Sequence, residues 1–147
     1  MKLLFLDIDG VMTTDEGTFN NDKLYSFSSS CVEALNKILS ANNVRIILTS
    51  SWRTVFDVEK QCRIFKENGV MQLPMGQTKD LGYKHRNLEI KNYLENRKVE
   101  SFVILDDMQL EGFDDHFVLI DPHKGLSEEY IERINEICES VFKKLDK

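Results

Sequence analysis

Two kinds of apolar pattern alternate along the chain. The first is a short, continuous run: Lys2–Ile8 reads Lys-Leu-Leu-Phe-Leu-Asp-Ile, and Val44–Thr49, Ser101–Leu105 and Phe117–Ile120 resemble it, with a weaker run at Val70–Leu73. Runs of this length without polar alternation predict strands buried on both faces. The second pattern is helical spacing. Val32, Leu35, Ile38 and Leu39 share one face of a helix that opens at Ser30-Cys31-Val32-Glu33, which has capping-box spacing. Val55, Val58, Cys62 and Phe65 carry a second helix to Lys66, with Gly69 where a C-terminal cap belongs. A third covers about Asn87–Arg97, with Ile90, Tyr93 and Leu94 as its apolar positions. The last starts after Ser127: Glu128 and Glu129 sit in its first turn, Lys143 and Lys144 in its last, and Ile131, Ile134, Cys138, Val141 and Leu145 form a stripe between them.

Strands alternating with helices predict parallel strands joined by right-handed crossovers, hence a three-layer, Rossmann-like α/β sheet with helices on both faces. Such sheets bind ligands at the carboxyl ends of their strands. The whole chain, 1–147, reads as one domain, in which the polar stretch 11–29 after the first strand is a flap-like loop. With 41% hydrophobic and 30% charged residues the composition is that of a globular protein, not a disordered one. A net charge of −6 argues against broad adhesion to nucleic acid or an anionic membrane, so a polyanionic substrate has to be gripped locally. Cys31, Cys62 and Cys138 lack metal or redox spacing and read as reduced packing residues. Asp7 and Asp9 interrupt the N-terminal apolar run too early for a signal peptide, and no segment has the length of a membrane span. The expectation is a cytoplasmic protein.

The chemistry is concentrated at predicted strand ends. The first strand closes in Asp7-Ile8-Asp9-Gly10-Val11 and the fourth in Asp106-Asp107. On one edge of a parallel sheet these carboxylates would repel, and a divalent cation is the natural remedy; an oxygen-only donor set favours Mg²⁺. The second strand brings Thr49-Ser50-Ser51-Trp52-Arg53 to the same edge, with hydroxyls, loop N–H groups and a helix start suited to holding phosphate.

Taken together, Asp-Ile-Asp-Gly-Val after the first strand, Thr/Ser closing the second, a basic residue before a later helix and Asp-Asp closing another strand resemble the haloacid dehalogenase (HAD) superfamily. The resemblance covers almost the whole chain. Thr49–Arg53 matches the Thr-Ser-Ser-Trp-Arg form of small members, and Asp121–Ser127 looks like their loop before the final helix. It implies Asp7 as a nucleophile that forms an aspartyl-phosphate, and Asp9 as the acid and base that also lends its backbone carbonyl to Mg²⁺. Thr49, helped by Ser50, would hold the phosphoryl group. Asp106 and Asp107 would complete the metal site, Asp106 being favoured over Asp107 as the direct ligand because it follows the strand immediately. The third-motif base is sought among Lys79, Lys84, His85 and Arg86, and Arg86, at the helix entrance, is favoured over Lys84. Arg53 is either a substrate-phosphate contact or a surface residue. Trp52 reads as a packing anchor, and His85, His116 and His123 as structural or solvent-facing. Glu111, Asp114 and Asp115 offer a further carboxylate near the metal strand.

Many relatives carry a cap domain. Asp9 and Thr49 lie 40 positions apart and Thr49 and Arg86 lie 37 apart, and both intervals are filled by predicted elements, so no cap is expected. An open edge suits a phosphomonoester on a bulky substrate, such as a nucleic-acid end or a phosphoprotein, with small phosphate esters and nucleoside monophosphates as the alternatives. The competing expectation is a non-catalytic phosphoacceptor of receiver-like architecture, which also gathers acidic groups, a Thr/Ser and a Lys on a parallel sheet.

Overall fold

Leu3, Leu4, Phe5 and Leu6 are all buried in β1 (Lys2–Leu6), the central strand of the sheet in the computed structural model. Residues 1–14, 26–82 and 85–140 are described. β1 lies between β2 (Val44–Leu48) and β4 (Ser101–Asp106), with β3 (Gly76–Gln77) outside β2 and β5 (Phe117–Leu119) outside β4. All four pairings are parallel. Among the described residues five α-helices complete the layers: α1 (Ser29–Ala41), α2 (Trp52–Val55), α3 (Val58–Glu67), α4 (Arg86–Glu95) and α5 (Ile131–Glu139). The expected three-layer, Rossmann-like α/β fold is the one observed.

Strand alternation sorts the core into two halves. Leu4, Leu6, Ile46, Leu48, Val103 and Leu105 face one side, against residues of α1, α3 and α5. Leu3, Phe5, Ile47, Phe102 and Ile104 face the other, against Ile90 and Tyr93 of α4. Complete burial of one such side chain contributes about 1.5–3 kcal/mol, so the three inner strands anchor the fold. The thiols of Cys31 and Cys138 lie in the first cluster, where burial pushes both up, Cys138 to about 11; all three cysteines are free. No helix among the described residues is long and apolar enough to cross a membrane.

Several elements depart from their sequence patterns. α1 starts at Ser29 after Ser28, without a side-chain cap, so Ser30 and Glu33 lie inside the helix and form no capping box. The second predicted helix is two. α2 ends at Val55, and Asp57 starts α3 by accepting a hydrogen bond from the Lys60 N–H (2.8 Å). Val55 and Val58 are therefore exposed, and the buried residues of α3 are Gln61, Ile64 and Phe65. Gly69 does cap as expected: at φ 81° it donates to the Lys66 carbonyl, while the Val70 N–H reaches that of Phe65. Val70–Leu73 is not a strand; the third strand is the two-residue β3 further on. At this level the Gln72 side chain stands in for one, its Oε1 accepting from the Ile46 N–H (3.1 Å) and its Nε2 donating to the Val44 carbonyl (3.0 Å). A 3₁₀ turn at Glu128–Tyr130 precedes α5, whose buried residues are Ile134, Ile137 and Cys138.

Among the described residues no separate cap domain stands over the carboxyl edge of the sheet. Most of the predicted flap, 15–25, falls outside the described residues, as do Lys84 and the predicted helix positions from Val141 onward. The flap's two flanks meet, since the Ser28 N–H donates to the Met12 carbonyl (2.8 Å).

Candidate active site

Strand register puts three side chains level. Leu6 is paired with Leu48 on one side and Leu105 on the other, so the next residues, Asp7, Thr49 and Asp106, sit abreast across three adjacent strands. The backbone confirms it: the Asp7 N–H donates to the Leu105 carbonyl and the Thr49 N–H to that of Leu6, each at 3.1 Å. Alternation then aims all three at the α4 side, the side of Phe5, Ile47 and Ile104. Arg86, the first residue of α4, comes down onto them there. Its Nη1 lies 2.8 Å from Asp106 Oδ2 and 3.4 Å from Asp7 Oδ1. Asp107 adds a third carboxylate, and oxygens of Asp7, Asp106 and Asp107 all fall within 4.8 Å of one another.

This cluster is short of positive charge. Burial first, then the neighbouring Asp106 and Asp107 charges, push the Asp7 carboxyl up to about 8, although Arg86 acts against them. Burial likewise raises Asp106, despite Arg86 and the Met108 N–H on its Oδ1 (2.9 Å). Burial works against the Arg86 charge, yet Asp7 and Asp106 hold its proton above the ordinary arginine value. A further cation beside three such carboxylates would satisfy the electrostatics, and an oxygen-only set fits Mg²⁺. Gly10 keeps the space open: at φ 82°, a Cβ there would fall 2.4 Å from Asp107 Oδ2.

Thr49 is completely buried and its hydroxyl has no hydrogen-bond partner among the described residues. Leaving a buried hydroxyl unsatisfied costs about 1–3 kcal/mol, which a bound anion would relieve. Ser50 is buried beside it, its Oγ accepting from the Trp52 N–H (3.2 Å). The Asp9 side chain does not join the acidic cluster. It is exposed and accepts from Trp52 Nε1 (3.1 and 3.2 Å) and Thr13 Oγ1 (3.2 Å). Trp52 is the expected anchor, its ring 5.5 Å from Phe56 and 6.1 Å from Phe27, and it also holds the second carboxylate of the first motif.

Arg53 is neither a surface residue nor turned to solvent. Its side chain is 5% exposed, with Nη2 on the equally buried Glu89 (2.6 Å), Nε donating to the Thr78 carbonyl, and Nη1 to those of Thr49 and Ser50. Sequence reasoning missed Glu89; its one available signal is its position a turn after Arg86 and directly before the core residue Ile90. Lys79, His85 and His123 are exposed, and Lys84 lies outside the described residues. His116 stacks on Phe102 at 4.0 Å, with Nδ1 3.0 Å from the Phe102 carbonyl oxygen. Glu111, Asp114 and Asp115 are exposed and do not belong to the acidic cluster.

A parallel sheet with order β3-β2-β1-β4-β5 and carboxylates at the ends of two of its inner strands, β1 and β4, defines a HAD-like domain. Residues 3–131 match the family described as the HAD domain in Swiss Army Knife RNA repair proteins, and the chain belongs to that family. No curated protein and no solved structure matches it. Membership sets aside the receiver-like architecture.

Proposed function

We propose that the protein is a Mg²⁺-dependent phosphohydrolase that cleaves a phosphomonoester through an aspartyl-phosphate on Asp7. The observation that carries this reading is the level row of Asp7, Thr49 and Asp106 with Arg86 bridging the two carboxylates. An Asp7 oxygen attacks phosphorus, and the bond to the leaving oxygen breaks as Asp9 gives that oxygen a proton. A water then attacks the aspartyl-phosphate, Asp9 takes its proton, and inorganic phosphate leaves with Asp7 restored as a carboxylate. Arg86 and the Thr49 hydroxyl bind the phosphoryl oxygens, with the Ser50 loop beside them. Asp7, Asp106, Asp107 and the Asp9 carbonyl would hold Mg²⁺. When bound, the ion supplies the positive charge that the crowded carboxylates and the phosphoryl oxygens require.

The substrate class in this reading is the phosphorylated end of an RNA. Its support is the family's description and the edge without a cap domain among the described residues, which leaves room for a polymer end. Because the protein is acidic, net charge does not drive such binding, and contact has to be made at the phosphoryl group itself. Phosphate release from 3′- and 5′-phosphorylated oligonucleotides, nucleoside monophosphates and a phosphopeptide would test it. Preference for the last two over both RNA ends would remove the RNA assignment.

Two further outcomes are expected. Mg²⁺ at about a hundred times its Kd should add roughly 2.7 kcal/mol of stability, several degrees in Tm, and chelation should abolish turnover. Asp107→Asn should lose most of that thermal shift. Full activity in excess chelator would count against the metal assignment. Asp9→Asn keeps the nucleophile and loses proton transfer, so its penalty should depend on the leaving group. An aryl phosphate should give a burst followed by slow turnover, and an alkyl phosphate should react poorly throughout. Equal loss with both esters and no burst would deny Asp9 the acid–base role.

A further inference from the structure

The phosphoryl-holding parts of the site come from different layers. Thr49 and Ser50 directly follow β2, whereas Arg86 begins α4; each reaches β1 on its own, Thr49 through its N–H on the Leu6 carbonyl and Arg86 through Asp7. A link that bypasses β1 is a buried ion pair. Arg53 and Glu89 are 5% and 4% exposed and meet at 2.6 Å. Arg53 also donates through Nη1 to the Thr49 and Ser50 carbonyls (3.0 and 2.9 Å) and through Nε to the Thr78 carbonyl just beyond β3 (3.0 Å). Glu89 Oε2 takes the Leu81 N–H (2.8 Å), fixing the approach to α4. Glu89 stands one helical turn after Arg86 on α4, so whatever holds Glu89 sets the height at which Arg86 meets Asp7 and Asp106.

We propose that Arg53 and Glu89 are positioning residues, which lock the Thr49-Ser50 loop and Arg86 in register on either side of the nucleophile. A buried pair of this kind adds little net stability over apolar residues of similar volume, because taking both charges out of water offsets their attraction. What an apolar pair cannot do is donate to three carbonyls at once. The planar guanidinium does, and it fixes two consecutive peptide groups of the loop. The pair has a second effect. With Arg53 gone, the Glu89 charge would be left buried within the field of Arg86 and would compete with Asp7 and Asp106 for it. Displacing a phosphoryl-binding group by even about 1 Å can cost on the order of a hundredfold in rate, so the pair bears on turnover more than on folding.

This inference rests on the phosphohydrolase reading, so each variant is assayed beside the wild type on an aryl phosphate, with inorganic phosphate as competing product and Tm measured in parallel. Arg53→Met should lower both Tm and kcat, because Glu89 is left unpaired. Adding Glu89→Gln removes the buried charge and keeps an acceptor for the Leu81 N–H, so the double variant should recover most of the Tm. Its kcat should remain about thirty- to a hundredfold low with KM changed far less, and inhibition by phosphate should weaken. The thermal shift with Mg²⁺ should persist, since Asp7, Asp106 and Asp107 are held by β1 and β4. Arg53→Lys keeps the ion pair but not the fork, so it should fold normally with an intermediate kcat. Wild-type kcat in a well-folded double variant, or in Arg53→Lys should the double variant fail to fold, would overturn the positioning role. A wild type that releases no phosphate from any ester would instead overturn the reading beneath it.

Discussion

Asp7→Asn should cut turnover by at least about a thousandfold, roughly 4 kcal/mol of barrier, while leaving the protein as stable as the wild type or more so. The two effects have one cause. Asp7 is placed by β1 in a buried row where its ionised form is disfavoured by burial first and by Asp106 next, with Arg86 only partly compensating. Asparagine keeps the shape, removes the disfavoured charge and cannot attack phosphorus. In chelator the folded wild type retains a proton on Asp7 up to about 8, whereas the unfolded chain releases it near 3.8. The folded state therefore binds more protons across that interval, and stability contributed by the neutral carboxyl is full below the lower value and lost as pH rises through the upper one. Asp7→Asn should flatten that part of the pH dependence, so its Tm should match the wild type near pH 4 and exceed it near pH 8. Melting curves in chelator across this range, with phosphate release at neutral pH, check both halves. Near-normal turnover would deprive Asp7 of the nucleophile's role, and a Tm well below wild type near pH 8 would contradict the electrostatic account.

Arg86→Ala should produce the second large effect, here on rate and stability together. Arg86 contacts both buried carboxylates and is itself mostly buried, so its loss leaves two acids without their shared partner; breaking buried pairs of this kind costs about 3–5 kcal/mol. Turnover should fall on the order of a thousandfold, because the guanidinium also neutralises the transferring phosphoryl group. Mg²⁺ should restore part of the Tm and little of the rate. Lys84→Ala should change either quantity only slightly. Kinetic and melting comparison of the two variants decides between the bases, and the reverse ranking would transfer the role to Lys84.

The inner strands were legible because parallel strands covered on both faces need unbroken apolar runs, and β1, β2 and β4 have them. The same reasoning placed Asp7, Thr49, Asp106 and Asp107 at one edge, since each stands where the end of a strand is visible in sequence, whereas Arg86 is reached through the family resemblance and its place at a helix entrance. Contacts between distant segments were not legible. The Asp9 carboxylate rests on an indole 43 positions away, which no local pattern encodes. Arg53 reads in sequence as a substrate-phosphate contact or a surface charge and Glu89 as an ordinary helix charge, and no local pattern shows that the two meet in the interior. Val55 and Val58 misled for a related reason: helical spacing continued across a backbone break made by Asp57. β3 carries no apolar signal, because Gly76 and Gln77 extend the sheet through backbone alone.

The Gln72 amide has a consequence for how copies of the protein meet. β3 pairs with β2 only at Ile47 and Leu48, so the first half of β2 would otherwise present bare donors and acceptors to a neighbouring chain. Gln72 occupies both the Ile46 N–H and the Val44 carbonyl, and the Met75 N–H takes the Ile46 carbonyl. One side chain thereby removes a template for edge-to-edge strand addition, a route by which sheet proteins aggregate. The exposed Arg45 in the same half of β2 sets a charge beside this hydrogen-bonding pattern, a second obstacle to a strand from another copy.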